Sequence, residues 1–218
     1  VLTGGMLPQQ LDCLEVIRNA RAQGKKVIVG GPDPTSSPRV YAEADHLILG
    51  EAEVTLPPFL ADLQAGTPRH TYESPEKADV TKSPTPRFDL LRFDSYNHIG
   101  VQWCRGCPFN CEFCDIIELF GRVPRAKGTE QMLKELQTLY DLGYRGHVDL
   151  VDDNFIGNKK LVKQFLPHLK TWLEERDWPF EFTTEASISL ADDEELMRLM
   201  REVGFFAVFV GIESPDED

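Results

Sequence analysis

Short apolar runs alternate with amphipathic stretches along most of this chain, and this alternation restricts its fold more than any other feature. The runs VLTGGML (1–7), KKVIVGG (25–31) and DHLILGE (45–51) are strand-like, and each carries glycine near its carboxyl end. Residues 9–24, between the first two runs, place apolar side chains at helical spacing before Gly24. A strand–helix–strand order of this kind predicts parallel strands joined by right-handed crossovers. The first part of the chain is therefore predicted to be α/β.

The same alternation returns in the second half of the chain. Amphipathic stretches occupy 129–142, a segment beginning near Lys159, and 192–204. The strand-like runs around them are HIGVQW (98–103), GHVDLV (146–151), FEFTTEA (180–186) and FFAVFVGIE (205–213). In folds made of such units, ligands gather at the carboxyl ends of the strands. We therefore expect the functional residues of this half to follow these four runs.

The two halves are separated by a proline-rich segment without periodicity. Residues 67–98 include Pro68, Pro75, Pro84 and Pro86, and proline both fixes φ and removes a backbone donor. This composition predicts a linker rather than a helix or strand. The expected organisation is a first domain at 1–66, a linker at 67–98 and a second domain at 99–218.

Composition and charge exclude several classes of protein. The formal net charge is −13, and no Lys/Arg cluster offsets it, which argues against nucleic-acid binding. No stretch approaches the ~18 uninterrupted apolar residues of a membrane-spanning helix. No basic-then-apolar leader is present either, so we expect a cytoplasmic location. The chain starts inside an apolar run without Met and stops just after another, so we expect a fragment cut at both ends.

Four of the five cysteines lie in one eleven-residue stretch, CRGCPFNCEFC (104–114). Disulfides conflict with the absence of a secretory signal, because cytosolic thiols stay reduced. A structural zinc site could use two Cys-x-x-Cys pairs, but zinc knuckles and ribbons usually separate the pairs by a dozen or more residues. An iron–sulfur cluster is held by cysteine thiolates on a tight loop. The spacing favours the cluster over zinc.

The spacing Cys107-x3-Cys111-x2-Cys114 resembles the signature of the radical S-adenosylmethionine (radical SAM) enzymes. The resemblance implies that these three cysteines hold three irons of a [4Fe–4S] cluster. The fourth iron then binds S-adenosylmethionine (SAM), which an electron from the cluster cleaves to a 5′-deoxyadenosyl radical. Cys104 falls outside this set and is interpreted as a small apolar residue. Phe113 matches the aromatic position beside the adenine, although core packing would also explain it.

Three later segments resemble the parts of this superfamily that contact SAM. In VDDNF (151–155), Asp152, Asp153 and Asn154 stand where a Gly-Gly-Glu-like motif contacts the amino group, although strand-end caps and turn residues look the same. Glu185, in TTEAS (183–187), corresponds to positions that bind the ribose hydroxyls. In VFVGIES, Gly211 would allow close approach to the adenine and Glu213 would form a polar wall.

The first domain, placed before such a cysteine loop, resembles the cobalamin-binding class of radical SAM proteins. The implied fold is a partial flavodoxin-like (Rossmann-like) cobalamin-binding domain, followed by the first four β/α units of a partial TIM-like radical SAM barrel. A Rossmann-like module without a cofactor is the alternative. The residues implied to enclose cobalamin are Thr3, Gly4, Gly5, Leu7, Gly30, Gly31, Pro32, Gly50 and Glu51.

Residues 86–117 resemble a subgroup that includes hopanoid C-methylases and relatives acting on tetrapyrroles. This resemblance implies a methyltransferase that acts on an unactivated carbon, with methylcobalamin as methyl donor and the deoxyadenosyl radical removing a substrate hydrogen. The expected partners are a small-molecule or lipid-like substrate and an electron donor such as flavodoxin or ferredoxin. Two alternatives remain, a cobalamin-dependent cyclase acting on a tetrapyrrole-like substrate and a non-catalytic iron–sulfur electron-transfer module. A zinc-stabilised binding module is a more distant third.

Overall fold

A computed structural model describes residues 2–4 and 7–212 of the chain. These residues form two compact units. The first runs to Ala78 and includes Glu118–Phe120, and the second comprises Asp79–Ile117 and the described residues from Gly121 onward. None of the helices in the described ranges combines the length and apolar character that crossing a membrane requires.

The first unit is a parallel α/β sheet with helices between its strands. Its sheet has the order β1-β2-β3-β4, and all neighbouring strands are parallel. Along the chain the elements are β1 (Leu2–Gly4), α1 (Gln10–Ala22), β2 (Ile28–Gly30), α2 (Pro32–Ser36), β3 (His46–Ile48), α3 (Ala52–Gln64) and β4 (Thr71–Tyr72).

Both faces of this first sheet are covered. Leu47 and Leu49 pack in one cluster with Ile17 of α1, whereas Ile48 packs in another with Phe59 of α3. Successive residues of a strand point to opposite faces, so this alternation places the two helices on opposite sides of the sheet. The predicted α/β character of this unit is confirmed, and its narrower flavodoxin-like assignment stays a prediction.

The segment 67–98 is more structured than its prolines indicate. Thr71–Tyr72 forms β4 of the first sheet, and Tyr72 is buried. Further along, Phe88 is buried in the core of the second unit. Proline's fixed φ suits both extended backbone and short 3₁₀ turns, and such turns occur here at Val80–Lys82, Phe88–Leu90 and Phe93–Ser95. The division between the units, at Ala78, falls inside this segment.

Beyond this segment the chain forms a second parallel sheet. Its elements are β5 (Ile99–Val101), β6 (Cys104–Arg105), α4 (Ile116–Phe120), β7 (Arg125–Ala126), α5 (Thr129–Asp141), β8 (Gly146–Leu150), α6 (Lys159–Glu174), β9 (Phe180–Ser187), α7 (Glu194–Glu202) and β10 (Phe205–Gly211). The sheet has the order β10-β9-β8-β5 and is parallel throughout, whereas β6 and β7 form a separate antiparallel pair. Within the four-stranded sheet, the strands therefore lie side by side in the order in which they occur along the chain, as in a β/α barrel.

In the described part of the chain, one face of the second sheet carries helices α5, α6 and α7, and the other face is free of helices. On β9, Phe180 and Phe182 pack into the hydrophobic core together with side chains of α5, α6 and α7. The alternate residues of this strand, Glu181, Thr183 and Glu185, are partly or fully exposed. Side-chain alternation therefore directs a row of polar groups onto the helix-free face.

Candidate active site

The cysteine loop follows β5 and is closed at its neck by β6 and β7. Cys104 pairs with Ala126 across this two-stranded ribbon. The backbone N–H of Lys127 donates to Trp103 O at 2.9 Å, and the N–H of Cys107 donates to Gly121 O at 3.2 Å. The loop therefore leaves and re-enters the fold through one hydrogen-bonded base at the carboxyl end of β5.

The three predicted cluster ligands lie together on this loop as free thiols. Cys107 and Cys114 are half-buried and Cys111 is exposed, while the N–H of Cys114 donates to Cys111 O at 3.1 Å. Phe113 is 70% exposed, so it does not serve as a core residue. Its contact with adenine stays a prediction.

Cys104 differs from its three neighbours because it is buried and already engaged. Its side chain is 3% exposed, and its S–H donates to Asn154 O at 3.7 Å. Burial, with the nearby carboxyls of Asp152 and Asp153, raises the pKa of this thiol far above its ordinary value. Because its side chain is buried and its S–H is hydrogen-bonded to Asn154 O, Cys104 is less accessible as a ligand than the other three, and a four-thiolate zinc site is correspondingly disfavoured.

The three accessible cysteines of the loop match the number of protein ligands that a SAM-binding iron–sulfur cluster would use. Within residues 2–4 and 7–212, no three His, Cys, Asp or Glu side chains converge so that they could hold one metal ion. In a [4Fe–4S] cluster each cysteine binds its own iron, so the three sulfurs need not converge on one point. Cys107, Cys111 and Cys114 are accessible on one anchored loop and Cys104 is buried, so three cysteines are available to bind three irons of a cluster.

Asp152 anchors the start of the cysteine loop by a hydrogen bond to the backbone of Cys104. The side chain is 1% exposed, and its Oδ1 accepts the backbone N–H of Cys104 at 2.6 Å. Its Oδ2 has no hydrogen-bond partner among the described residues. Burial raises the pKa of this carboxyl well above its ordinary value, although the backbone N–H groups of Cys104 and Trp103 oppose that shift. A carboxyl in this position is closed to a ligand, so the structure gives Asp152 an anchoring role.

Replacing Asp152 by asparagine should flatten the pH dependence of stability. Because the folded-state pKa is raised, the contribution of Asp152 to wild-type stability is greatest below the pKa of an unfolded aspartate, about 3.9. It then falls as the pH rises toward the folded pKa, by up to ~1.4 kcal/mol per pH unit for one group. Asp152→Asn should lose this slope while keeping an acceptor for Cys104 N–H.

The measurement is the free energy of unfolding by denaturant from about pH 4 to pH 7, compared between the two proteins. Asp192→Asn, at an exposed position, is the matched control and should keep the wild-type slope. An Asp152→Asn slope equal to that of the wild type would show that Asp152 is ionised in the folded protein.

Asp153 is the more accessible carboxylate of this segment. It is half-buried, and its Oδ2 accepts Gly106 N–H at 3.4 Å. Burial raises the pKa of its carboxyl, while the Gly106 hydrogen bond and the charge of Arg105 act in the opposite direction. Of the two aspartates, Asp153 is the one that remains open to a ligand, and its contact with the SAM amino group stays a prediction.

Asn154 connects the cysteine loop to the end of β9. Its Oδ1 accepts Ser187 N–H at 3.2 Å, and its Nδ2 donates to Ser187 Oγ at 3.3 Å and to Cys107 Sγ at 3.8 Å. Ser187 pairs with Gly211 of β10 in the sheet register. The structure thus brings Cys107, Asn154 and Gly211 to one edge of the sheet, whereas Glu213 lies outside the described residues.

Glu185 shares the helix-free face of the sheet with a hydrogen-bonded chain that sequence reasoning missed. Thr183 Oγ1 lies 2.5 Å from Asp149 Oδ1 and 2.6 Å from His147 Nε2. Because a carboxylate only accepts, the hydroxyl donates to Asp149 and accepts from a protonated His147 Nε2. The pKa of Glu185 is raised by partial burial and then by the charges of Asp149 and Asp153. The carboxylates of this face offer acceptors for a cation or a hydrogen-bond donor.

The sequence does contain a signal for this hydrogen-bonded row of side chains. His147 and Asp149 are two residues apart in one strand, and Thr183 and Glu185 are two apart in the next. Polar residues at a period of two, inside otherwise apolar runs, indicate a shared polar face. The pairing of Asp149 with Thr183 brings the two rows together.

In the first unit, the residues predicted to enclose cobalamin follow neighbouring strands. Gly4 pairs with Gly30, which pairs with Ile48, so these strands end at a common edge. A Cβ on Gly30 would stand 2.9 Å from Ile48 O, and strand packing alone therefore requires glycine there. Thr3 also lies in β1, Leu7 begins a short turn, and Gly5 lies outside the described residues.

The remaining predicted cobalamin residues lie just beyond the ends of β2 and β3. Gly31 and Gly50 have positive φ values of 116° and 77°, which suit glycine. Pro32 begins α2, whereas Glu51 is buried immediately before α3. Glycine turns at one sheet edge leave room for a bulky ligand, but turn geometry alone explains them, so the cobalamin contacts stay predictions.

The second unit is thus a barrel-type parallel α/β sheet. It carries three free thiols after its first strand and polar groups after the next two, which is the architecture of a cofactor-dependent enzyme domain. Residues 101–218 match the family model described as "Radical SAM superfamily". The chain belongs to this superfamily.

Individual relatives extend the likeness over the whole chain. It is 54% identical, over its full length, to an uncharacterized methyltransferase of Synechocystis sp., of which it covers 41%. It is 36% identical over 99% of its length to the hopanoid C-2 methylase of Rhodopseudomonas palustris, of which it covers 42%. The chain therefore spans about two fifths of the length of these curated relatives.

A solved structure has a similar fold. The radical SAM methyltransferase TsrM of Kitasatospora setae, with cobalamin and a [4Fe–4S] cluster bound, superposes with a TM-score of 0.77 at 16% identity. The match covers 94% of this chain and 46% of TsrM. At this identity the likeness concerns the fold, and it extends over both units of the chain.

Proposed function

We propose that this chain is part of a cobalamin-dependent radical SAM enzyme that methylates an unactivated carbon. The observation that carries the proposal is the difference in burial among the four clustered cysteines. Cys107, Cys111 and Cys114 are accessible, while Cys104 is buried and its S–H donates to Asn154 O. A cluster held by three cysteines keeps one iron open for SAM, whereas an electron carrier would use a fourth ligand.

The residues of the second unit would then have distinct tasks. Cys107, Cys111 and Cys114 would hold the cluster, Asp152 would hold the loop, and Asp153 and Glu185 would face the polar groups of SAM. When bound, the reduced cluster and SAM supply one-electron radical chemistry, and methylcobalamin supplies a methyl group. The polar chain of His147, Thr183 and Asp149 would line the same face.

Methyl transfer and cobalamin are supported by the relatives. The two curated relatives are named as a methyltransferase and a methylase, which favours methyl transfer over ring formation. The structural neighbour that matches both units binds cobalamin. We therefore assign cobalamin to the glycine-lined strand edge of the first unit. A small-molecule or lipid-like substrate, a flavodoxin- or ferredoxin-type electron donor and a cytoplasmic location complete the proposal.

Electron paramagnetic resonance tests the central assignment. The protein is reconstituted with iron and sulfide without oxygen, reduced with dithionite and measured with and without SAM. We expect a reduced [4Fe–4S] signal that shifts when SAM is added, because SAM binds the open iron. A signal indifferent to SAM would favour an electron-transfer module, and stoichiometric zinc in place of iron would end the enzyme hypothesis.

A further inference from the structure

We infer that Asn154 is a positioning residue that hydrogen-bonds a cluster ligand and raises the reduction potential of the cluster. The inference rests on the proposed function, since it requires that Cys107 binds iron. Asn154 Nδ2 lies 3.8 Å from Cys107 Sγ, within hydrogen-bond range for sulfur. The sequence alone had suggested a different task for this residue, a contact with SAM.

The orientation of the Asn154 amide follows from its partners. Ser187 N–H is a donor only, so the atom 3.2 Å from it must be the accepting Oδ1. The opposite atom, which faces Cys107 and Ser187 Oγ, must then be the donating Nδ2. The network thus fixes which end of the amide points at sulfur.

Burial makes this hydrogen bond consequential. Asn154 is 2% exposed, so water does not compete for its amide, and hydrogen bonds are stronger in such low-dielectric surroundings. A cluster gains a negative charge on reduction, and N–H donors to the sulfurs stabilise that charge. A locked amide aimed at Cys107 therefore favours the reduced cluster, the form that delivers the electron.

Asn154 is held through both its backbone and its side chain. The backbone O of Asn154 accepts the Cys104 S–H at 3.7 Å, so Asn154 contacts both the first and second cysteines of the loop. Its other anchor, Ser187, lies two residues from Glu185 on β9. Asn154 therefore holds the distance between the cluster ligand and the strand end at which SAM is proposed to bind.

The test is a redox titration of the reconstituted cluster, followed by electron paramagnetic resonance. Asn154→Leu removes the donor, and Asn154→Asp replaces it with an acceptor of nearly the same shape. We expect the ratio of reduced to oxidised cluster at a fixed potential to fall about tenfold in each variant, equivalent to ~59 mV for one electron. Asn158→Ala, four residues away at the start of α6, is the control and should keep the wild-type potential.

The possible outcomes separate this inference from the proposed function. A wild-type protein without a SAM-sensitive cluster would overturn the proposed function before any variant is compared. Wild-type potentials in both Asn154 variants, with a normal cluster signal, would overturn the inference and leave the function standing. If both Asn154 variants lost the cluster while the wild type and Asn158→Ala kept it, the role of Asn154 would be to hold the loop. That result would also overturn the proposed effect on the reduction potential.

Discussion

Replacing any one of Cys107, Cys111 or Cys114 by alanine is expected to take the iron content from about four per chain to near zero. Each thiolate would bind a separate iron, and the fourth cysteine of the described second unit, Cys104, is buried. Cys104→Ala should keep the cluster, because this thiol is buried and hydrogen-bonded to Asn154 O. Iron and sulfide analysis after anaerobic reconstitution gives the result directly.

Cys13→Ala is the matched control for these variants. Cys13 is a buried cysteine of the first unit and belongs to its hydrophobic core. The control reports any loss of iron that comes from removing a buried thiol in general. If Cys104→Ala lost its cluster while Cys13→Ala kept it, Cys104 would be a ligand and the electron-carrier interpretation would replace the radical one.

Lys127→Met is expected to destabilise the chain by ~3–5 kcal/mol, because it leaves Glu135 buried without its cation. The side chains are 7% and 0% exposed, and Lys127 Nζ lies 2.7 and 2.8 Å from the two carboxylate oxygens. Burial raises the pKa of Glu135 although Lys127 opposes it, so the lone carboxyl should take up a proton more readily. The destabilisation should therefore shrink as the pH is lowered. Denaturant unfolding near neutral pH measures it.

A double variant separates the charge from the packing. Lys127→Met combined with Glu135→Leu should recover most of the lost stability, since an apolar pair of similar volume often replaces a buried ion pair without loss. The control is Lys170→Met, which breaks a half-exposed ion pair with Glu202 at 3.0 Å and should cost only ~0–1 kcal/mol. Equal losses in the two single variants would mean that the Lys127 pair is solvated.

The larger strands and helices could be predicted because their patterns are long. The run at 180–186 alternates in burial along all of β9, and the amphipathic stretch 129–142 closely matches α5. The ribbon of β6 and β7 was missed because two residues on each side carry no periodicity. β4 was missed for the same reason, with nearby prolines masking it. Short elements depend on tertiary pairing, which one sequence does not reveal.

The candidate site was predictable in its ligands and less so in their surroundings. The cysteine spacing is local, so Cys107, Cys111 and Cys114 could be read from the sequence. Asp152 and Asn154 are neighbours of similar polarity, but one faces Cys104 N–H and the other faces Cys107 Sγ. The strand ends at Leu150, so side-chain alternation no longer predicts the directions in which Asp152 and Asn154 point. Their orientations depend on hydrogen bonds to the cysteine loop, which is distant from them in the sequence.

The closed neck of the cysteine loop bears on how a cluster could be assembled. Ordering a free loop around iron would require the metal to offset the entropy of bringing the loop ends together. Here β6, β7 and Asp152 already hold those ends through backbone hydrogen bonds and a buried carboxyl. The closed neck therefore reduces the loop-closure entropy that a cluster bound by Cys107, Cys111 and Cys114 would have to offset.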